Sequence, residues 1–217
     1  MIHKIEYKTV HLFEKIFEVL EPPKPLTISS WAAEKRRLSR EASAEPGRWN
    51  LDRAPYQRSI MDAISSPGLK RVVLMTSAQI GKTEMLLNTI GYYSEHDPSP
   101  IMVVNPTDAM AQAFSKDRLA PMIRDTECLK EIYGMAKSRD TANTILHKQF
   151  PGGHITMIGA NAPTNLASRP IRILLLDEVD RYPASAGTEG DPVDLADKRT
   201  TTFWNRKVVL VSTPTEK

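Results

Sequence analysis

The chain has 217 residues, of which 41% are hydrophobic and 25% charged, and carries a formal net charge of +3. That is enough for one sizeable domain with its own core, and too little net charge for a global basic field, so nucleic-acid contacts must come from local clusters. No run approaches the ~20 apolar residues of a membrane span, and Met1–Glu6 lacks a secretion-signal core; a reducing, cytoplasmic compartment is the expectation. The single Cys128 excludes an internal disulfide, and His3, His11, His96, His147 and His154 show no metal-ligand spacing.

Residues 5–20 place Leu12, Phe13, Ile16, Phe17 and Leu20 on one helical stripe. Pro22, Pro23 and Pro25 then form a stiff linker. The helix either packs on its own domain or serves as an arm for a partner. Ser30 is placed to cap a second helix from Trp31 to about Ala42, whose Lys35, Arg36, Arg37 and Arg40 form a basic face, either solvated or turned to polynucleotide phosphates. A third helix starts after Pro55, with Ile60, Met61 and Ile64 toward the core. Tyr56 and Gln57 stand at its beginning, where a ring can stack on a base and an amide can pair with an adenine edge.

Ser66-Pro67-Gly68 turns the chain into a first core strand, Arg71 to Met75. Thr76-Ser77-Ala78-Gln79-Ile80-Gly81-Lys82-Thr83 follows and opens a helix over 84–94. A strand, a small-residue loop and Gly-Lys-Thr at a helix start form the layout of a phosphate-binding loop, in which backbone N–H groups and a lysine converge on an anion. The pattern asks for glycine where Thr76 stands. After a break at 96–100 come a strand over 101–104, a capped turn at Asn105-Pro106-Thr107-Asp108, helices over 109–118 and 122–137, and a hairpin over 144–158. Residues 159–168 are small and precede Arg169 and Arg172; they read as a loop, or as the lining of a polynucleotide track.

The run Ile171–Leu176 suits a central parallel strand covered on both faces, and Asp177-Glu178-Val179-Asp180 follows where it stops, at the carboxyl end where α/β sheets place ligands. Asp177 is the expected ligand of a Mg²⁺ bridging phosphates, and Glu178 the carboxylate that polarises the attacking water. A loop over 182–191, a helix over 194–204 and a buried strand over 207–211 complete the chain. At the end of that strand, Ser212 and Thr213 can sense a terminal phosphate. The expected fold is α/β: a P-loop NTPase with a RecA-like, mainly parallel sheet flanked by helices, preceded by an N-terminal helical arm.

Pro55-Tyr56-Gln57, the loop 76–83, Leu174–Asp180 and Val211-Ser212-Thr213-Pro214-Thr215, in that order, resemble the large terminase subunit of tailed bacteriophages, most of all its lambda GpA-like branch. The resemblance runs from about residue 27 to the C-terminus, and loops lacking the first glycine are common in that family. It implies residues 1–26 as a small-subunit docking arm, and 27–217 as a packaging ATPase domain without the family's C-terminal nuclease. It also implies ATP and Mg²⁺ as cofactors, and double-stranded DNA, the terminase small subunit and the procapsid portal as partners of a homo-oligomeric ring in the host cytoplasm. By the same resemblance, Lys82 and Thr83 hold phosphates and Mg²⁺, Asp177 completes the metal site and Glu178 is catalytic. Tyr56 and Gln57 face adenine, while Ser212 and Thr213 couple hydrolysis to movement. Ala78 and Gln79 stand where some relatives carry a cis arginine, which leaves Arg139, Arg169 and Arg172 as finger candidates and implies weak activity for the isolated domain. Two rivals stay open: a superfamily-2-like helicase or translocase, whose acidic box Asp177–Asp180 also satisfies, and a nucleotide-gated DNA-binding scaffold that does not hydrolyse.

Overall fold

A computed structural model describes Phe13 and residues 26–137, 143–162 and 169–214. Apart from Phe13 and residue 26, the expected arm and linker lie outside the described residues.

The chain runs through α1 (Ile28–Lys35), a short antiparallel pair β1 (Arg37–Leu38) and β2 (Gly47–Arg48), α2 (Tyr56–Ser65), β3 (Arg71–Met75) and α3 (Lys82–Glu95). It continues with β4 (Pro100–Asn105), α4 (Asp108–Ala113), a π-helical turn (Phe114–Leu119), α5 (Ala120–Asp125), α6 (Glu127–Lys137), β5 (His147–Phe150), β6 (Gly153–Gly159), β7 (Ile173–Asp177), α7 (Pro192–Asp197) and β8 (Lys207–Ser212). Six strands form one sheet in the order β3-β8-β7-β4-β6-β5. All neighbours are parallel except the β5–β6 hairpin. The α/β expectation holds, with the carboxyl ends of β3, β8 and β7 side by side.

The two sheet faces are covered unequally. Ile101, Val103, Ile173, Leu175, Val209 and Val211 face the larger core, which also takes Trp31 of α1, Met61 of α2, Leu86 and Ile90 of α3, and Met122 and Leu129 of α5 and α6. Met102, Val104, Leu174, Leu176 and Val208 face a smaller core closed by Tyr182, Ala186 and Ala196. At the edge, β3 receives little of that second cover: Val73 is 64% and Met75 74% exposed. The expected core strand is therefore half-covered, because it has a neighbour on one side alone.

The packing of α1 on α3 explains a glycine in a helix interior. A Cβ on Gly91 would stand 2.0 Å from the Trp31 ring. Trp31 fills that space, fully buried, with its indole N–H donating to Glu95 at 2.9 Å. Its truncation to alanine would cost about 3–5 kcal/mol.

Three element expectations are corrected. The first helix is capped by Thr27, not Ser30, and ends at Lys35. Its basic residues do not share a free face: Lys35 pairs with Glu95, and Arg36 is buried against Glu84. The expected helix over 194–204 is shorter; Asp191 caps it, and it ends at Asp197 before a 3₁₀ turn. Residues 108–125 run on through the π turn without a break, and the chain bends at the buried Thr126.

Candidate nucleotide site

The loop after β3 leaves the sheet at Thr76, whose N–H donates to the Ser212 carbonyl at 3.1 Å. Gln79 (φ 61°) and Gly81 (φ 83°) are both left-handed, which curls the loop onto the start of α3. Alternating backbone handedness of this kind turns successive N–H groups into a concavity suited to an anion. Ser77, Ala78 and Gln79 are exposed along its rim.

Lys82, 9% exposed, folds back beneath the loop. Its ammonium donates to the Ser77 carbonyl at 2.7 Å and to the Thr213 hydroxyl at 2.6 Å. Both hydrogen-bond partners are neutral, while the ammonium's charge acts on Asp177. Thr83 follows it in the first turn of α3, partly buried.

Across the sheet, Asp177 pairs in register with Val211 of β8. It is buried, and its carboxyl is pushed up to about 6, chiefly by desolvation and then by the Glu178 charge, with Lys82 pulling the other way. Asn105, 3% exposed, ends β4 one step beyond the Val104–Leu176 pair and so stands beside Asp177. Its Oδ1 is buried without a partner. A buried carboxylate short of positive charge next to an unused carbonyl oxygen fits a hard, partly hydrated divalent cation. The described residues hold no cluster of three or more His, Cys, Asp or Glu.

Glu178 takes the left-handed conformation (φ 54°, ψ 47°), uncommon for a residue with a side chain and recurrent at functional sites. A 3₁₀ turn, Val179–Arg181, follows, and Asp180 N–H donates to the Ser212 hydroxyl at 3.0 Å. Ser212 and Thr213 thus touch the acidic turn and the loop lysine, one each. The Arg181 guanidinium stands 3.0 Å from the Glu178 carboxylate. Sequence reasoning passes over Arg181 and Asn105, although both carry a signal: a cation three residues after the acid, and an amide at a strand's carboxyl end.

Tyr56 and Gln57 both bond to the loop itself. The Tyr56 hydroxyl (3.0 Å) and the Gln57 amide (2.8 Å) both donate to the Ile80 carbonyl. Gln57 is 5% exposed and lies so close to Gly81 that a Cβ there would stand 2.4 Å from its nitrogen. Here the pair buttresses the back of the loop, and half of Tyr56 remains exposed.

The finger candidates separate. Arg172 stands at the amino end of β7, bound to Asp97 by two hydrogen bonds of 2.7 and 2.6 Å and to Ser99 at 2.7 Å. Register puts it at the end of the sheet opposite Asp177, so it supplies nothing to this chain's own site. Arg169 is exposed, and its charge acts on His147 and His154. Arg139 lies outside the described residues.

A glycine-bearing loop at a helix start, its lysine tied to the neighbouring strand, and a buried acid one strand further on define a P-loop NTPase site. Residues 43–217 match the family model described as phage terminase large subunit gpA, ATPase domain. The chain is 32% identical over 193 residues to the terminase large subunit of Enterobacteria phage P21, covering 88% of this chain and 30% of the relative. It is 31% identical, with the same coverage, to that of Escherichia phage lambda. Among solved structures it resembles the HK97 bacteriophage large terminase (TM-score 0.67, 14% identity, 88% of this chain and 38% of that one). It also resembles the Thermus phage P74-26 large terminase ATPase domain (TM-score 0.52, 17% identity, 74% and 64%); both likenesses concern the fold. The chain belongs to the gpA ATPase-domain family of phage terminase large subunits. It spans 30% of the length of the two phage relatives.

Proposed function

We propose that the chain is the motor domain of a DNA-packaging terminase, using ATP hydrolysis to drive double-stranded DNA into a procapsid. The observation that carries this is the Lys82 ammonium, held among the described residues by the Ser77 carbonyl and the Thr213 hydroxyl while its charge reaches Asp177. A terminal phosphate replaces those neutral oxygens with negative ones. Lys82 and the loop from Thr76 to Thr83 bind the phosphates, and Tyr56 borders the base. Asp177 and Thr83 would hold Mg²⁺, which when bound supplies charge neutralisation between the phosphates. Glu178 takes the proton of the attacking water. Catalysis is then mainly positioning and charge stabilisation around an in-line attack.

Thr213 and Ser212 give the coupling a route. When Lys82 turns to a phosphate, Thr213 loses its partner, and the adjoining Ser212 holds the turn that carries Glu178. Residues 1–26 are read from their sequence pattern as the docking segment for the small subunit. The working form is a homo-oligomeric ring at the portal, in the host cytoplasm.

The test is phosphate release by the chain with and without double-stranded DNA, beside Glu178→Ala. Turnover that grows with assembly and DNA and vanishes in the variant supports the motor. Tight ATP binding without turnover in any assembly state supports a nucleotide-gated scaffold instead.

A further inference from the structure

Lys82 is the one cation in the loop 76–83, and its ammonium is engaged beneath that loop. Arg172 is bound at the far end of the sheet. Among the described residues, the arginine that an ion pair places at the catalytic carboxylate is Arg181. It reaches Glu178 from three residues later, across a 3₁₀ turn closed by its own N–H donating to the Glu178 carbonyl at 2.9 Å.

That turn is anchored on three sides. Asp180 is held by Ser212, the Tyr182 N–H by the Val179 carbonyl at 3.0 Å, and the Tyr182 hydroxyl donates to the Val104 carbonyl at 2.7 Å. The guanidinium is carried on a fixed base, yet its side chain is 58% exposed. The contact itself is unfinished. Arg181 lies 3.0 Å from Glu178 Oε2, but that oxygen, buried, accepts no aligned hydrogen bond.

We propose that Arg181 positions Glu178 for hydrolysis, its guanidinium holding Oε2 so that Oε1 is left to face the attacking water. This rests on the nucleotide-site reading above. Arg181 is a positioning residue: it touches neither water nor phosphate in this role. Its closeness to the carboxylate comes from local chain geometry, so it acts within each subunit and needs no neighbour.

The test compares the full chain with Arg181→Ala, Arg181→Lys and Glu178→Gln in single-turnover ATP hydrolysis, with a fluorescent ATP analogue to measure affinity and thermal melting to check folding. Arg181→Ala is expected to lower the hydrolysis rate about 10- to 100-fold, the range of a small misplacement of a reacting group. Its affinity should stay within about twofold and its melting temperature close to the parent's, because the guanidinium is mostly exposed. Arg181→Lys restores charge without the fork and should recover part of the rate. A parent-like rate in Arg181→Ala while Glu178→Gln is inactive overturns this proposal alone. So does a faster rate, which would make the guanidinium a brake, or a loss of affinity in step with the rate. A parent-like rate in Glu178→Gln, or no hydrolysis by the parent chain, overturns the nucleotide-site reading and this proposal with it.

Discussion

The two ends of the sheet use the same kinds of residue and treat them differently. At the amino end, Arg172 meets a carboxylate and a hydroxyl in three hydrogen bonds and lies 5.6 Å from the centre of the Tyr93 ring. Nearby, Lys207 caps the Ser66 and Leu69 carbonyls where α2 ends. At the carboxyl end, Lys82 meets neutral oxygens, Asp177 and Glu178 crowd each other, and Asn105 and Glu178 each keep a buried oxygen without a hydrogen bond. The Arg172–Asp97 pair belongs to the fold; two adjoining acids with unbonded buried oxygens beside them mark the place prepared for a ligand.

Substitutions can sharpen that contrast. Lys82→Ala should weaken ATP binding about 100-fold, ~3 kcal/mol for a lost charged contact, with little change in melting temperature; nucleotide titration and calorimetry read both. Arg172→Ala should do the reverse. Losing its bonds to Asp97 costs about 2 kcal/mol, and melting should fall by roughly 4–8 °C for a chain of this size, while affinity in the folded protein stays unchanged. If Arg172→Ala instead abolishes hydrolysis only in assembled rings, the arginine serves a neighbour and the contrast between the two ends breaks.

Gln57→Ala removes one of two donors from the Ile80 carbonyl and should weaken ATP binding about three- to tenfold, since the loop is no longer pre-formed. Gly81→Ala should be worse, because a Cβ strikes Gln57 and the backbone is left-handed. The smallest effect is expected at the β5–β6 hairpin. Burial lowers the His147 and His154 imidazoles below their ordinary value, helped by Arg169 and, for His154, by His147. The folded chain therefore resists protonation that the unfolded chain accepts, so stability is present above the ordinary imidazole value of about 6.5 and falls as pH drops through it. Melting between pH 7.5 and 5.5 should show a decline that His154→Gln reduces.

Much of the site is legible in the sequence. The strand-loop-helix around Gly81-Lys82-Thr83, the acidic strand end at Asp177-Glu178 and the strand before Ser212 all stand where local pattern places them. Each is specified by neighbours along the chain: apolar runs, a glycine, a helix start. The residues that sequence misreads depend on distant partners. Arg36 counts as a surface cation until Glu84 is found against it. That Gln57 braces the loop appears only once the missing Cβ of Gly81 lets it reach Ile80. Arg172 counts as a candidate for its own chain's site until register sets it at the amino end of β7.

The sequence by itself determined which residues can bind a phosphate and which acids can act on it, because those roles rest on residue chemistry and on spacing within one segment. Which of the remaining charges belong to the site and which to the scaffold was decided by tertiary structure alone. Strand order and register choose the neighbours of every side chain, and whether a charge is answered there is a property of those neighbours.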